Sequence, residues 1–217
     1  MTEPKAEPKI EDRLLEALVR TAAALCTGDD GLLRAAFNRA LDSGATPAML
    51  REVVHTSYLF DGYPTALEGF RILSEIAGVP KTQTQDFSYT SANVELWRER
   101  GAMLCRTIYG PQFERLISHV AQFAPELSDA MLVEGYGKVL SREHLNPLVR
   151  ELCVVAILAA KNRPRQLLSH SLGALRLGAE PDQLRSIVAW IADLVPTANL
   201  THAGETISEA LAKSVVP

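Results

Sequence analysis

A chain of 217 residues, 47% hydrophobic and 22% charged, has the size and composition of one large globular domain or two small ones. Its formal net charge of -4 gives no reason to expect nucleic acid or an anionic membrane as partner, since both select clustered Lys and Arg, although a few local arginines would hold a small acidic metabolite. No apolar run reaches the roughly 18 residues of a membrane span, and the first dozen residues lack the apolar stretch of a secretory signal, so a cytoplasmic protein is expected.

Residues 1–11, with Pro4 and Pro8 among Lys and Glu, read as a flexible arm. From Leu14 onward the pattern is helical, with apolar residues at three- and four-residue spacing. Thr46-Pro47 has the form of a helix start, a polar residue followed by Pro at the first helical position, and it opens LREVVHTSYLF. PKTQTQD is a polar loop, after which ANVELWRERGAMLCRTIYG, PQFERLISHVAQFA and PELSDAMLVEGYGKVL supply three helical segments. Asn146-Pro147, Arg163-Pro164 and Glu180-Pro181 then open three more, while no stretch shows clean two-residue alternation bounded by turns. An all-α fold is expected. Cys26, Cys105 and Cys153 are far apart, form no CxxC or metal-type spacing, and read as buried small hydrophobes; no metal site is expected.

The chain also repeats itself. GATPAMLREVV (44–54) matches GAEPDQLRSIV (178–188) at six of eleven positions, at an offset of 134, and DGYPTA (61–66) matches DLVPTA (193–198) at 132. This divides the sequence into the arm 1–11, a first helical repeat 12–79, a helical connector 80–145 and a second repeat 146–217. The copies differ in chemistry: Ala17 and Ala36 of the first stand where the second has Glu151 and His170. The second copy is therefore the candidate site and the first a degenerate one.

If 147–161 and 164–177 fold back as an antiparallel helix hairpin, Glu151 lies about 15 Å and His170 about 10 Å from the turn, a gap that long side chains or one water would close. Arg163, Gln166 and His170 share a face by spacing, and Leu168, Leu172 and Leu175 mark another. Spacing alone leaves plainer readings open. His170 also reads as a core histidine bonded to a carbonyl, Glu151 as an exposed first-turn carboxylate favoured by the helix dipole, and Arg163 with Arg165 as a solvated turn.

RELCVVAILAAKNRPRQLLSHSLGALRLGAEPDQLRSIV resembles the carboxymuconolactone decarboxylase and alkylhydroperoxidase-D-like superfamily, an all-helical unit with a REL helix, a turn, a helix ending with His, and a G-A-x-P-x-x-L step. VVHTSYLFDGYPTALEGF, RTIYGPQFERL and EGYGKVLSREHLNPLVREL are similar to the decarboxylase branch, so the resemblance covers about residues 13–212. In the hydroperoxidase branch, Glu is followed after eleven residues by Cys-x-x-Cys and then, after three more, by His. Counting from Glu151 puts Arg163 and Gln166 at the thiol positions and His170 at the imidazole. Thiol peroxidase chemistry needs an attacking and a resolving thiol, and none of the three cysteines matches, which argues against it.

The resemblance instead implies decarboxylation or related acid/base chemistry on a small unsaturated cyclic carboxylate, with no metal or organic cofactor. His170 would be the acid or base, an imidazole being the side chain that ordinarily changes charge near neutral pH. Glu151 would orient it, Arg163, Arg165 or Gln166 would grip the substrate, and His55 and Tyr63 would border the pocket. A non-catalytic oligomeric or ligand-binding member of the superfamily is the alternative. Family members bury their apolar faces in rings of six units, so two units per chain imply a homotrimer, with a dimer as runner-up.

Overall fold

The computed structural model describes residues 12–79 and 88–214, so the arm at 1–11 and the PKTQTQD loop lie outside the described residues. All regular structure among the described residues is helical. Helix α1 (Asp12–Leu25) and α2 (Asp30–Asp42) form a first hairpin, and Asp29 caps α2 by accepting the Leu32 amide at 2.9 Å. Helix α3 (Pro47–Ala77) starts where Thr46 accepts the Met49 amide at 3.2 Å. It bends at Gly62, whose φ of 88° belongs to the left-handed region, two residues before Pro64.

The connector contains α4 (Ser91–Tyr109), a 3₁₀ turn (Gly110–Gln112), α5 (Phe113–Phe123) and α6 (Pro125–Ala130), which runs into a π-helical segment (Met131–Leu140). Helix α4 and the π-helical segment touch backbone to backbone at two glycines. A Cβ on Gly101 would strike the Leu132 carbonyl, and one on Gly137 the Trp97 carbonyl.

The last four helices are α7 (Pro147–Ala160), α8 (Pro164–Arg176), α9 (Pro181–Trp190) and α10 (Thr197–Ser214). Asn146 caps α7 by accepting the Leu148 amide at 2.8 Å, and Glu180 with Gln183 forms a capping box at α9. Helix α8 begins at Arg163-Pro164 with no side-chain cap. Each Pro start anticipated from the sequence opens a helix.

Helix α7 is the axis of the core. Every residue from Val149 to Ala159 is buried, so this helix has no solvent face, and it packs against α1, α3, α8 and α10. Alanines of α1 (Ala17, Ala22, Ala23, Ala24) let that helix lie close by. A second, smaller cluster of Cys105, Ile108, Phe113, Tyr136 and Leu140 fastens the connector to α3 through Leu59 and Phe60 and to the end of α8 through Leu177. Charges pin the elements together as well. Glu52 of α3 is buried and receives Arg142 at 2.9 Å and Arg150 of α7 at 3.1 Å, and the Arg150 Nε has no hydrogen-bond partner. Removing one partner of such a buried cluster costs about 3–5 kcal/mol, because a charge is left uncompensated.

Candidate functional site

Glu151 faces inward from the second turn of α7, and His170 faces it from α8. The His170 Nδ1 lies 2.6 Å from the Glu151 Oε1, and the two residues are only 4% and 2% exposed. With the carboxylate ionised, the bond forms only with a proton on Nδ1, which leaves Nε2 as the nitrogen available for exchange. The approach depends on Gly173, one turn after His170. A Cβ there would sit 2.7 Å from the Glu151 Oε1 and 2.6 Å from the Ile108 side chain.

Aromatic side chains of α3 and α4 close over the pair. Phe60 presents its ring edge-on to His170 at a centroid distance of 5.3 Å, and Tyr109 does the same at 6.4 Å. The Tyr136 hydroxyl donates to the Tyr109 hydroxyl at 2.9 Å. Burial, with a contribution from the Glu151 charge, pushes both phenols well above the usual tyrosine range, and pushes the Cys105 thiol up to about 12. The carboxylate and imidazole therefore sit among neutral donors. Arg176 ties this wall to α8 by donating to the Ile108 carbonyl at 2.9 Å.

Of the residues singled out in the sequence, the fold brings Glu151 and His170 together directly, with no water needed. Arg163, Arg165 and Gln166 are exposed at the start of α8, away from the pair. Arg163 precedes Pro164 and has non-helical dihedrals (φ -111°, ψ 71°), so helical spacing does not extend back to it. The deeply buried stripe of α8 is Leu167, His170, Ser171 and Ala174, one step round from the polar face expected, while Leu168, Leu172 and Leu175 are half-buried.

His55 and Tyr63 line a different cavity of about 280 Å³, together with Tyr58, Phe70, Lys138 and Arg142. His55 is pushed down to about 3 by burial first, then by the charges of Arg142, Arg51, Arg150 and Lys138. Cys26 lines a separate cleft of about 340 Å³ with Asp61 and Lys161, and burial followed by the Asp61 charge raises its thiol far above the ordinary range. Cys153 is raised to about 12 by burial. Sequence reasoning missed Phe60, Tyr109 and Tyr136. Their only signal was that YLF, TIYG and EGYG are aromatic interruptions in otherwise ordinary helical pattern, and nothing in their spacing links them to His170. Among the described residues there is no group of three His, Cys, Asp or Glu able to hold a metal ion, and no helix long and apolar enough to cross a membrane.

The fold and this pair define an all-helical protein with a buried Glu–His pair across a helix hairpin. Residues 125–208, which contain that hairpin, match the carboxymuconolactone decarboxylase family. The chain is also similar to Peroxisomal protein 2 of Schizosaccharomyces pombe, at 28% identity over 139 residues, which is 63% of this chain and 64% of that protein. The match thus spans less than two thirds of the relative's length.

Proposed function

We propose that the chain is a carboxymuconolactone decarboxylase-like protein that carries out cofactor-independent decarboxylation, or related acid/base chemistry, on a small unsaturated cyclic carboxylate. The observation that carries this reading is the 2.6 Å contact between His170 and Glu151, sealed from solvent beside the Tyr109–Tyr136 hydroxyl pair. In the decarboxylation the bond from ring carbon to carboxylate breaks, its electron pair moves toward the lactone carbonyl, carbon dioxide leaves, and one proton is added to carbon. His170 gives that proton, Glu151 fixes the ring through Nδ1 so that Nε2 is presented, and the neutral hydroxyls stabilise charge developing on oxygen. Thiol peroxidase chemistry is disfavoured: Arg163 and Gln166 occupy the thiol positions, and burial raises all three cysteines.

His170→Ala is expected to lower turnover of carboxylated lactones by about 100-fold or more while leaving the helical circular dichroism unchanged. Undiminished rates on every lactone acid that the wild type consumes would overturn the assignment. The edge-on packing of Phe60 and Tyr109 on His170, with Arg163, Arg165 and Gln166 turned outward, favours the second reading, a non-catalytic or ligand-binding protein. Wild-type protein that consumes none of a broad series of lactone acids would select it.

The reading includes a duplicated architecture. What supports it is that α2 and α8 (30–42 and 164–176) coincide end for end at the offset of 134, as do the starts of α3 and α9 (47 and 181). A homotrimer follows from two units per chain, and sedimentation at monomer or dimer mass would sink it. Residence in the cytoplasm is part of the proposal, and a fluorescent fusion that collects in organelles, as the relative's name would suggest, would contradict it.

A further inference from the structure

The cavity between α3 and the π-helical segment lies outside the acid/base reading, since its lining includes neither Glu151 nor His170. Its wall is aromatic: Phe70 packs edge-on against His55 at 4.7 Å, and Tyr58 lies 4.6 Å from Tyr63. Tyr63 and Leu67 are exposed and form its mouth. Its polar side is made by Lys138, Arg142 and Glu134 and is net positive. Lys138 and Arg142 line it directly, Arg51 lies over the Phe70 ring at 4.8 Å, and Arg150 stands behind with Glu52. Against these four cations the same region carries two carboxylates. Glu52 already receives both Arg142 and Arg150, and Glu134 receives Lys138 at 3.4 Å and the Tyr58 hydroxyl at 3.3 Å.

We propose that this cavity is a second binding site, for a small planar monocarboxylate whose ring lies between Phe70 and the two tyrosines and whose charge faces Lys138 and Arg142. Volume selects size. A space of about 280 Å³ is at the small end of ligand cavities and suits a single ring rather than a cofactor. Charge selects sign, because an anion offsets the surplus of cations around His55, which burial and then those cations push down to about 3. His55 then offers a neutral ring nitrogen as a hydrogen-bonding partner without adding charge. The proposal does not rest on catalysis at Glu151–His170, and a chemically silent pair would leave it intact.

The test titrates the full chain with benzoate, and separately with benzamide, which keeps the shape and removes the charge. Saturable benzoate binding is expected, with benzamide about ten-fold weaker or more. Lys138→Gln is expected to weaken benzoate about ten-fold and to leave benzamide unaffected. Arg142→Gln should do the same but also loosens the Glu52 cluster, so Lys138→Gln is the decisive variant if the other fails to fold. Ring resonances of His55 should shift on benzoate addition and those of His170 should not. Equal affinity for the two probes, no saturable benzoate binding, or shifts at His170 alone would each overturn the proposal.

Discussion

The hairpin of α1 and α2 and the hairpin of α7 and α8 have helices of matching length, 14 and 13 residues, and are filled with opposite chemistry. In the first stand Ala17 and Ala36, and the Thr21 hydroxyl lies 2.8 and 3.4 Å from their carbonyl oxygens. In the second, the positions 134 residues further on bury a carboxylate and an imidazole. The first hairpin demonstrates that close helix packing here needs only small side chains. A buried ionisable pair contributes little net stability and often less than an apolar replacement, so the second hairpin retains Glu151 and His170 at a cost that the fold does not require. That is the physical argument for assigning them a role in chemistry.

Moving the chemistry into the wrong hairpin is expected to give the largest effect. Ala17→Glu buries a carboxylate without a partner and should destabilise the protein by about 4 kcal/mol, with Ala36→His recovering part of the loss, as measured by urea unfolding. Emptying the right hairpin comes next. Glu151→Ala strands a buried imidazole and should cost about 3 kcal/mol, whereas Glu151→Ala with His170→Ala should cost less than the two single changes summed, by about 1–2 kcal/mol. Strict additivity would mean that the two side chains do not interact.

The histidines sharpen the contrast. His55, on α3, is pushed down by burial first and then by surrounding cations, whereas His170 is paired with a carboxylate. Because the folded state lowers His55 to about 3 from an ordinary 6.5, the unfolded chain binds more protons below pH 6.5. The stability contributed by His55 is therefore complete above pH 6.5 and is lost as the pH falls toward 3. Unfolding free energy should drop by about 2 kcal/mol between pH 6.5 and 4.5 from this group, and His55→Gln should lack that portion of the slope.

The smallest effect concerns the helix starts. Asp29 caps α2, and its counterpart Arg163 leaves α8 without a side-chain cap. Arg163→Asp should raise stability by about 0.5–1 kcal/mol in thermal unfolding. The same variant separates cap from grip: unchanged turnover would remove Arg163 from substrate binding.

The helices were legible because their punctuation is local. Thr46, Asn146 and Glu180 each announce a start through a bond to an amide only two or three residues on, and the Arg163-Pro164 turn between Glu151 and His170, read with the family resemblance, pointed to their pairing. What stayed hidden was non-local. Helical spacing misassigned the polar face of α8 because it was extended through Arg163, a residue that the following proline holds out of the helix. Tyr136 reaches Tyr109, which packs on His170, where α4 and the π-helical segment meet at Gly101 and Gly137, a contact between residues some 36 positions apart that no periodicity reports, and Phe60 comes to His170 from α3. The separation of His55 and Tyr63 from the pair likewise depends on how α3 lies against the π-helical segment.

The most direct measurement is the nitrogen-resolved NMR spectrum of the histidine rings. The account predicts a strongly downfield Nδ1 proton on His170, lost in Glu151→Gln and retained in His55→Gln. A His170 ring protonated only on Nε2, with a spectrum indifferent to Glu151→Gln, would contradict the pairing on which the functional reading stands.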